Sequence, residues 1–137
     1  MFSLSSRAVY GLLAMIELAQ THKTGPIQIK DIARTHEIPQ HYLEQLLVVL
    51  RKAGFADSRR GVRGGYELAI HPSQIRVGEI LACLDGKLEV VADRKKSGAL
   101  NFFWMEIESG ISELLDRSLE DLLLEKQKSE QNFSYSI

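Results

Sequence analysis

Cysteine is almost absent: Cys83 stands alone in 137 residues. A single thiol excludes an intramolecular disulfide framework and fits a reducing compartment, so the cytoplasm is the expected location. His22, His36, His41 and His71 are scattered, and none stands at zinc-type spacing from Cys83. Long apolar runs are missing too, since no stretch approaches the roughly 20 residues that span a bilayer. The first seven residues lack a basic region followed by an apolar run, which argues against a secretory signal. No nucleophile–base pair stands out, and an enzyme is the remote reading. A surplus of charge is missing as well: 17 basic and 18 acidic residues leave a net charge of −1.

That near-neutral total hides an asymmetry. Between residues 51 and 63, Arg51, Lys52, Arg59, Arg60 and Arg63 face only Asp57. Between 106 and 126 the balance reverses, with Glu106, Glu108, Glu113, Asp116, Glu120, Asp121 and Glu125 against Arg117 and Lys126. A phosphate backbone responds to where the charge sits more than to its sum. The chain offers a basic centre and an acidic far end.

The basic centre has a distinctive form. Ser58-Arg59-Arg60-Gly61-Val62-Arg63-Gly64-Gly65-Tyr66-Glu67-Leu68 sets three arginines and three glycines between two short apolar segments. Glycines tolerate backbone angles that other residues avoid, so the run predicts the tip of a β-hairpin. Arginines on such a tip point to an anionic partner, by phosphate or minor-groove contact. A nucleotide-cradling loop is excluded, because no Lys-Ser or Lys-Thr follows and no helix opens after Gly65.

Helical patterns surround the hairpin. Val9, Leu12, Leu13 and Ile16 predict a helix over 6–21, with Ser5 or Ser6 as its N-cap. Ile27-Gln28-Ile29 reads as a very short strand, and Asp31–His36 as a short second helix. Ile38-Pro39 makes the turn, because the residue before proline is pushed out of the helical region. Leu43, Leu46, Leu47 and Leu50 then form the inner stripe of a third helix over 39–53, with Gly54 as its C-cap. After the hairpin, Arg76–Leu84 reads as a helix turning Val77, Ile80, Leu81 and Leu84 inward. Cys83 lies beside that stripe and reads as a small core residue.

Two short helices joined by a tight turn resemble a helix-turn-helix, whose second helix enters the major groove. Gln40, His41, Glu44, Gln45 and Val48 are left facing outward on that helix. Glutamine pairs bidentately with adenine, a carboxylate accepts from the cytosine amino group, and histidine donates to a base or phosphate. Glu44 is the sharpest of these, because phosphate repels a carboxylate unless a cytosine receives it.

Residues 85–100 are polar and aperiodic and read as a loop or linker. From 101 to 126, Trp104, Ile107, Ile111, Leu114, Leu115, Leu119, Leu122 and Leu123 form one long apolar stripe. One small domain cannot cover such a stripe, whereas a second copy of the helix could. Residues 127–137 are polar and expected to be disordered.

Together these segments carry a family resemblance. Tyr42-Leu43-Glu44-Gln45, Leu50-Arg51-Lys52-Ala53-Gly54, and the Arg-Gly-x-x-Gly-Gly-Tyr pattern at 60–66 resemble the Rrf-two family of bacterial winged-helix transcription regulators. The likeness covers about residues 1–86 in order. It implies a mainly α fold with a small β-hairpin wing: a winged helix-turn-helix over 1–84, a linker over 85–100 and a dimerisation helix over 101–126. It implies a homodimer, joined by that helix, on a near-palindromic operator in double-stranded DNA. Glu44 and its neighbours would read the major groove while the wing arginines, Arg60 above all, enter the minor groove. Arg51, Ser58, Arg59, Gly61 and Arg63 complete the expected DNA-binding set; Arg59 and Arg63 make this wing more basic than in many relatives.

One departure from the family matters. Relatives that carry an iron–sulfur cluster place three cysteines after the fourth helix, and here 85–100 contains none. The expectation is therefore a regulator without a cofactor or metal. An atypical iron–sulfur or redox-sensing regulator using Cys83 is one alternative, and a winged-helix protein-interaction module is another. An unidentified effector or protein partner stays open.

Overall fold

The computed structural model describes residues 2–136, and side chains up to Asn132. Met1 and Ile137, the ends of the predicted N-terminal domain and tail, lie outside the described residues. The helices are α1 (Ser6–Gln20), α2 (Ile29–His36), α3 (Gln40–Lys52), α4 (Val77–Asp85), α5 (Asn101–Leu115) and α6 (Leu119–Ser136). Strands β1 (Ala56–Arg59) and β2 (Gly65–Leu68) form the antiparallel hairpin.

Local chemistry sets most of these boundaries. Ser5 caps α1 by accepting from the Ala8 amide. The Ser5 amide donates to Asp85 at 3.2 Å and Arg7 Nε to the Leu84 carbonyl at 3.2 Å, so the start of α1 is pinned to the end of α4. Hydrogen bonding to Ser5 holds the Asp85 carboxyl below the usual carboxylate range. α2 begins two residues earlier than its pattern predicts, at Ile29. It ends with Glu37 in the left-handed region at φ 53°. There the Ile38 amide reaches the Ala33 carbonyl at 2.9 Å and the Glu37 amide reaches Arg34 at 3.4 Å. This pair of bonds turns the chain sharply into α3. His36 and Glu17, both largely buried, meet at 2.9 Å and tie that corner to α1.

The core gathers Met15 and Leu18 from α1, Ile32 from α2, and Leu43, Leu46, Leu47 and Leu50 from α3. Ile75 and Ile80 close it from the α4 side. Ile27 pairs with Tyr66 through hydrogen bonds of 2.9 and 2.8 Å, so of the strand predicted at 27–29 only a single-residue bridge beside the wing forms, because Ile29 already opens α2. Gly65 makes that pairing possible: its φ is +147°, and a Cβ there would lie 2.3 Å from the Ile27 carbonyl oxygen. Only glycine fits this approach.

The C-terminal region departs from its sequence pattern. The single helix predicted over 101–126 is two helices, broken at Asp116–Ser118. The Ser118 hydroxyl accepts from the Asp121 amide at 3.0 Å, and the Asp121 carboxylate accepts from the Ser118 amide at 3.1 Å. This reciprocal capping box starts α6 afresh. Its hydrogen bonds hold the Asp121 carboxyl below the usual range. The corner is then fastened to the segment before α4, with Val77 bonded to the Arg117 carbonyl and the Leu119 amide to Ile75 at 2.8 Å.

Four members of the predicted stripe, Leu115, Leu119, Leu122 and Leu123, are thereby engaged at home. Leu119 is fully buried in the chain's own core, Leu122 packs on that core, and Leu115 packs against Val77 and Leu81. The tail predicted as disordered is helical from 127 to 136. The segment predicted as a linker over 85–100 begins after α4, whose last residue is Asp85; residues 86–100 carry two single 3-10 turns, and Glu108 of α5 holds them through the Val90 amide at 2.7 Å and Arg94 at 3.3 Å. Among the described residues no helix is long and apolar enough to cross a membrane.

Candidate nucleic-acid interface

The amphipathic spacing of α3 fixes which side chains it presents outward. Gln40, His41 and Gln45 are exposed, and Glu44 is half-exposed, with its carboxylate 3.8 Å from His41 Nδ1. The wing stands beside the start of this helix. Between them lies a cleft of about 370 Å³, lined among others by Gln40, Glu44, Ser58, Arg59 and Gly61. Five of the ten residues expected to meet DNA therefore converge on one concave surface. Glu44 is the acidic side chain in its wall.

The remaining expected residues divide by what holds them. Arg51, at the end of α3, donates to the Ser58 hydroxyl at 3.4 Å and so braces the wing's first strand against the helix. Arg59 is not a free cation, because its guanidinium is bonded to Glu67 on β2. That hydrogen bond and its charge raise the Arg59 pKa above the ordinary arginine value. Arg60 and Arg63 stand exposed at the tip, around a turn closed by the Gly64 amide on the Gly61 carbonyl at 3.0 Å. Between them Val62 is 95% exposed, with none of the described residues packed over it. His41 and Gln45 lie on the exposed face of α3 but outside the cleft wall.

Two cleft residues escape the sequence reading. Gln28 and Lys30 reach the same cleft from the start of α2, facing Gln40 and the wing. The signal was the inward pair Ile29 and Ile32, which turns Lys30 outward once α2 is allowed to begin at Ile29.

The second surface is α5. None of its residues is buried, and Phe102, Phe103, Met105 and Leu114 are exposed while Trp104, Ile107 and Ile111 are half-buried. The helix touches the domain chiefly along α4, where Gly78 lets Leu115 approach closely.

A helix-turn-helix whose recognition helix shares a cleft with a basic two-stranded wing defines a winged-helix DNA-binding protein. Residues 4–125 match the model of the Rrf2 family, described as an iron-dependent transcriptional regulator. The chain belongs to the Rrf2 family and is a DNA-binding transcriptional regulator. It is 42% identical over 123 residues to the HTH-type transcriptional regulator CymR of Bacillus subtilis, covering 87% of this chain and 88% of that one. It is 33% identical over 132 residues to the regulator IscR of Aliivibrio salmonicida, covering 90% and 79%. Among solved structures, that of CymR from B. subtilis, described as the global cysteine regulator, superposes with a TM-score of 0.77 at 40% identity. The match spans 90% of this chain and 97% of that chain. The IscR of T. potens superposes with a TM-score of 0.78 at 39% identity, over 93% and 90%.

The donors in this chain do not fit an iron–sulfur cluster. Cys83 is the sole cysteine, half-buried on α4, and clusters draw on several thiolates. Among the described residues no three His, Cys, Asp or Glu side chains gather as a metal site.

Proposed function

We propose that the chain acts as a homodimer on a near-palindromic operator, reading each half-site with α3 and the wing. The observation that carries this reading is the single cleft in which Gln40 and Glu44 of α3 face Ser58, Arg59 and Gly61 of the wing. Gln40, His41, Glu44 and Gln45 meet base edges and adjoining phosphates, while Arg60 follows the minor groove. Arg51 and Arg59 hold the wing in position through Ser58 and Glu67. Dimerisation rests on the apolar face of α5, from Phe103 through Ile107 to Leu114, supported by Trp104 and Ile111. The protein binds rather than catalyses, works in the cytoplasm, and regulates without an iron–sulfur cluster. Its relatives' roles as transcriptional regulators support the first two statements, and its lone cysteine supports the third.

Two substitutions test the assignment within the cleft and the tip. Arg60→Ala removes a cation from a groove of concentrated negative potential and is expected to weaken operator binding by about 1–3 kcal/mol. Stability should stay within about 0.5 kcal/mol of the parent, because the residue is exposed and has no partner among the described residues. Anisotropy titration alongside urea unfolding separates the two; operator affinity equal to the parent's rejects the minor-groove role.

Glu44→Ala should instead relax sequence choice, by about 1–3 kcal/mol at one base position in each half-site. Binding to unrelated duplex should hold or improve, since a repulsive carboxylate is gone. Selection from a random DNA pool reads this directly. An identical consensus from both proteins removes Glu44 from base recognition.

A further inference from the structure

Beyond the cleft shared by α3 and the wing, the same surface continues into a second one. It lies between the α1–α2 turn and the wing tip, has a volume of about 610 Å³, and is lined by Thr21, Thr24, Lys30, Asp31 and Arg63 among others. Gln28, Lys30 and Gly64 line both clefts, so Lys30 forms the shared wall. We propose that Lys30 and Arg63 form a clamp on the DNA phosphate backbone, extending the interface outward from the base-reading cleft. The proposal rests on the DNA-binding reading: it moves Arg63 from the expected minor-groove set to the phosphate backbone and adds Lys30, so that both position the duplex without reading it.

The charge pattern selects these two residues. Several cations near this face are already neutralised: Arg34 pairs with Asp31 at 3.0 Å, and Arg59 with Glu67. A cation that already holds a carboxylate releases few counterions when phosphate approaches. Lys30 and Arg63 have no ion-pair partner among the described residues and face one another across an open cleft. The Asp31 carboxylate in that cleft is occupied by Arg34, which lowers its repulsion toward an anion.

The form of the site favours a long polyanion over a small one. The Thr21 and Thr24 hydroxyls donate to the Glu17 and Thr21 carbonyls, both at 3.1 Å, and do not close into a cage for a free phosphate ion. Two exposed cations in line with an established nucleic-acid cleft suit a strand that runs past, held by charge rather than by enclosure.

The test is the salt dependence of binding by the full chain to a duplex that the parent selects from a random pool. Lys30→Gln and Arg63→Gln should each reduce the slope of log affinity against log salt by about 0.9 for every subunit on the DNA. The double variant should lose the sum, while Lys30→Arg keeps the parent's slope. Affinity for a scrambled duplex should fall by the same factor as affinity for the selected one, and the consensus should not move. Unchanged slopes with a parent that binds the duplex overturn the clamp and leave the DNA-binding reading standing. A shifted consensus also overturns it, because the residues would then touch bases. A parent that binds no duplex overturns both readings.

Discussion

Leu119→Ala is expected to lower the free energy of unfolding by about 2–5 kcal/mol, the range for removing a buried leucine side chain without full collapse of the site. Leu119 is 0% exposed and sits in the same core as Met15, Leu18 and Ile75. Its amide is also bonded to the Ile75 carbonyl, so the side chain and backbone together anchor the start of α6 to the DNA-binding domain. The contrasting substitution is Leu124→Ala, five residues later and 51% exposed, which should change stability by no more than about 0.5 kcal/mol. Urea unfolding of both variants checks the pair. Equal, small effects would mean that Leu119 does not anchor α6 to the core.

The contrast marks where sequence reasoning succeeds and where it stops. The helices of the DNA-binding domain were legible because each carries one inward stripe bounded by a capping residue, a proline turn or a glycine. Leu43, Leu46, Leu47 and Leu50 announce both the buried and the exposed faces of α3, and the exposed face is the one proposed to meet DNA. The hairpin was legible because its glycines and arginines have no other common use. The last two helices were read as one because their apolar residues stay nearly in phase across the break. Phase says that a side is covered, not whether the cover is the chain's own core or a second copy. The decisive local signal was Ser118-Leu119-Glu120-Asp121, a capping box inside the apparent helix.

Within the candidate site, residue types were legible and pairings were not. Three arginines on the wing look equivalent in sequence. The register sets Asp57 opposite Glu67 and Arg59 opposite Gly65, which leaves Glu67 diagonal to Arg59 and on the same hairpin. That diagonal neighbour takes one arginine out of the free set. Lys30 was missed for the converse reason: its role depends on α2 and the wing tip meeting in space, which no spacing along the chain expresses.

Changing Ile107 and Leu114 together to aspartate is expected to convert the protein to monomers and to weaken operator binding by about a hundredfold or more, the scale lost when two linked contacts become one. Phe103, Ile107, Gly110 and Leu114 follow one another at spacings of 4, 3 and 4, which places them in one line along α5. Gly110 lies at the middle of that line with open space among the described residues where its Cβ would stand, so a second helix can approach closely there. None of these four residues is buried in the isolated subunit, so the subunit itself should still fold. Pairing two copies removes the exposed phenylalanine and leucine from water and sets two recognition helices at a fixed separation, as a two-fold operator requires. Sedimentation velocity reports the assembly and anisotropy the binding, on the same samples. A variant that stays dimeric, or a parent that sediments as a monomer at micromolar concentration while binding its operator fully, removes α5 as the dimer seam.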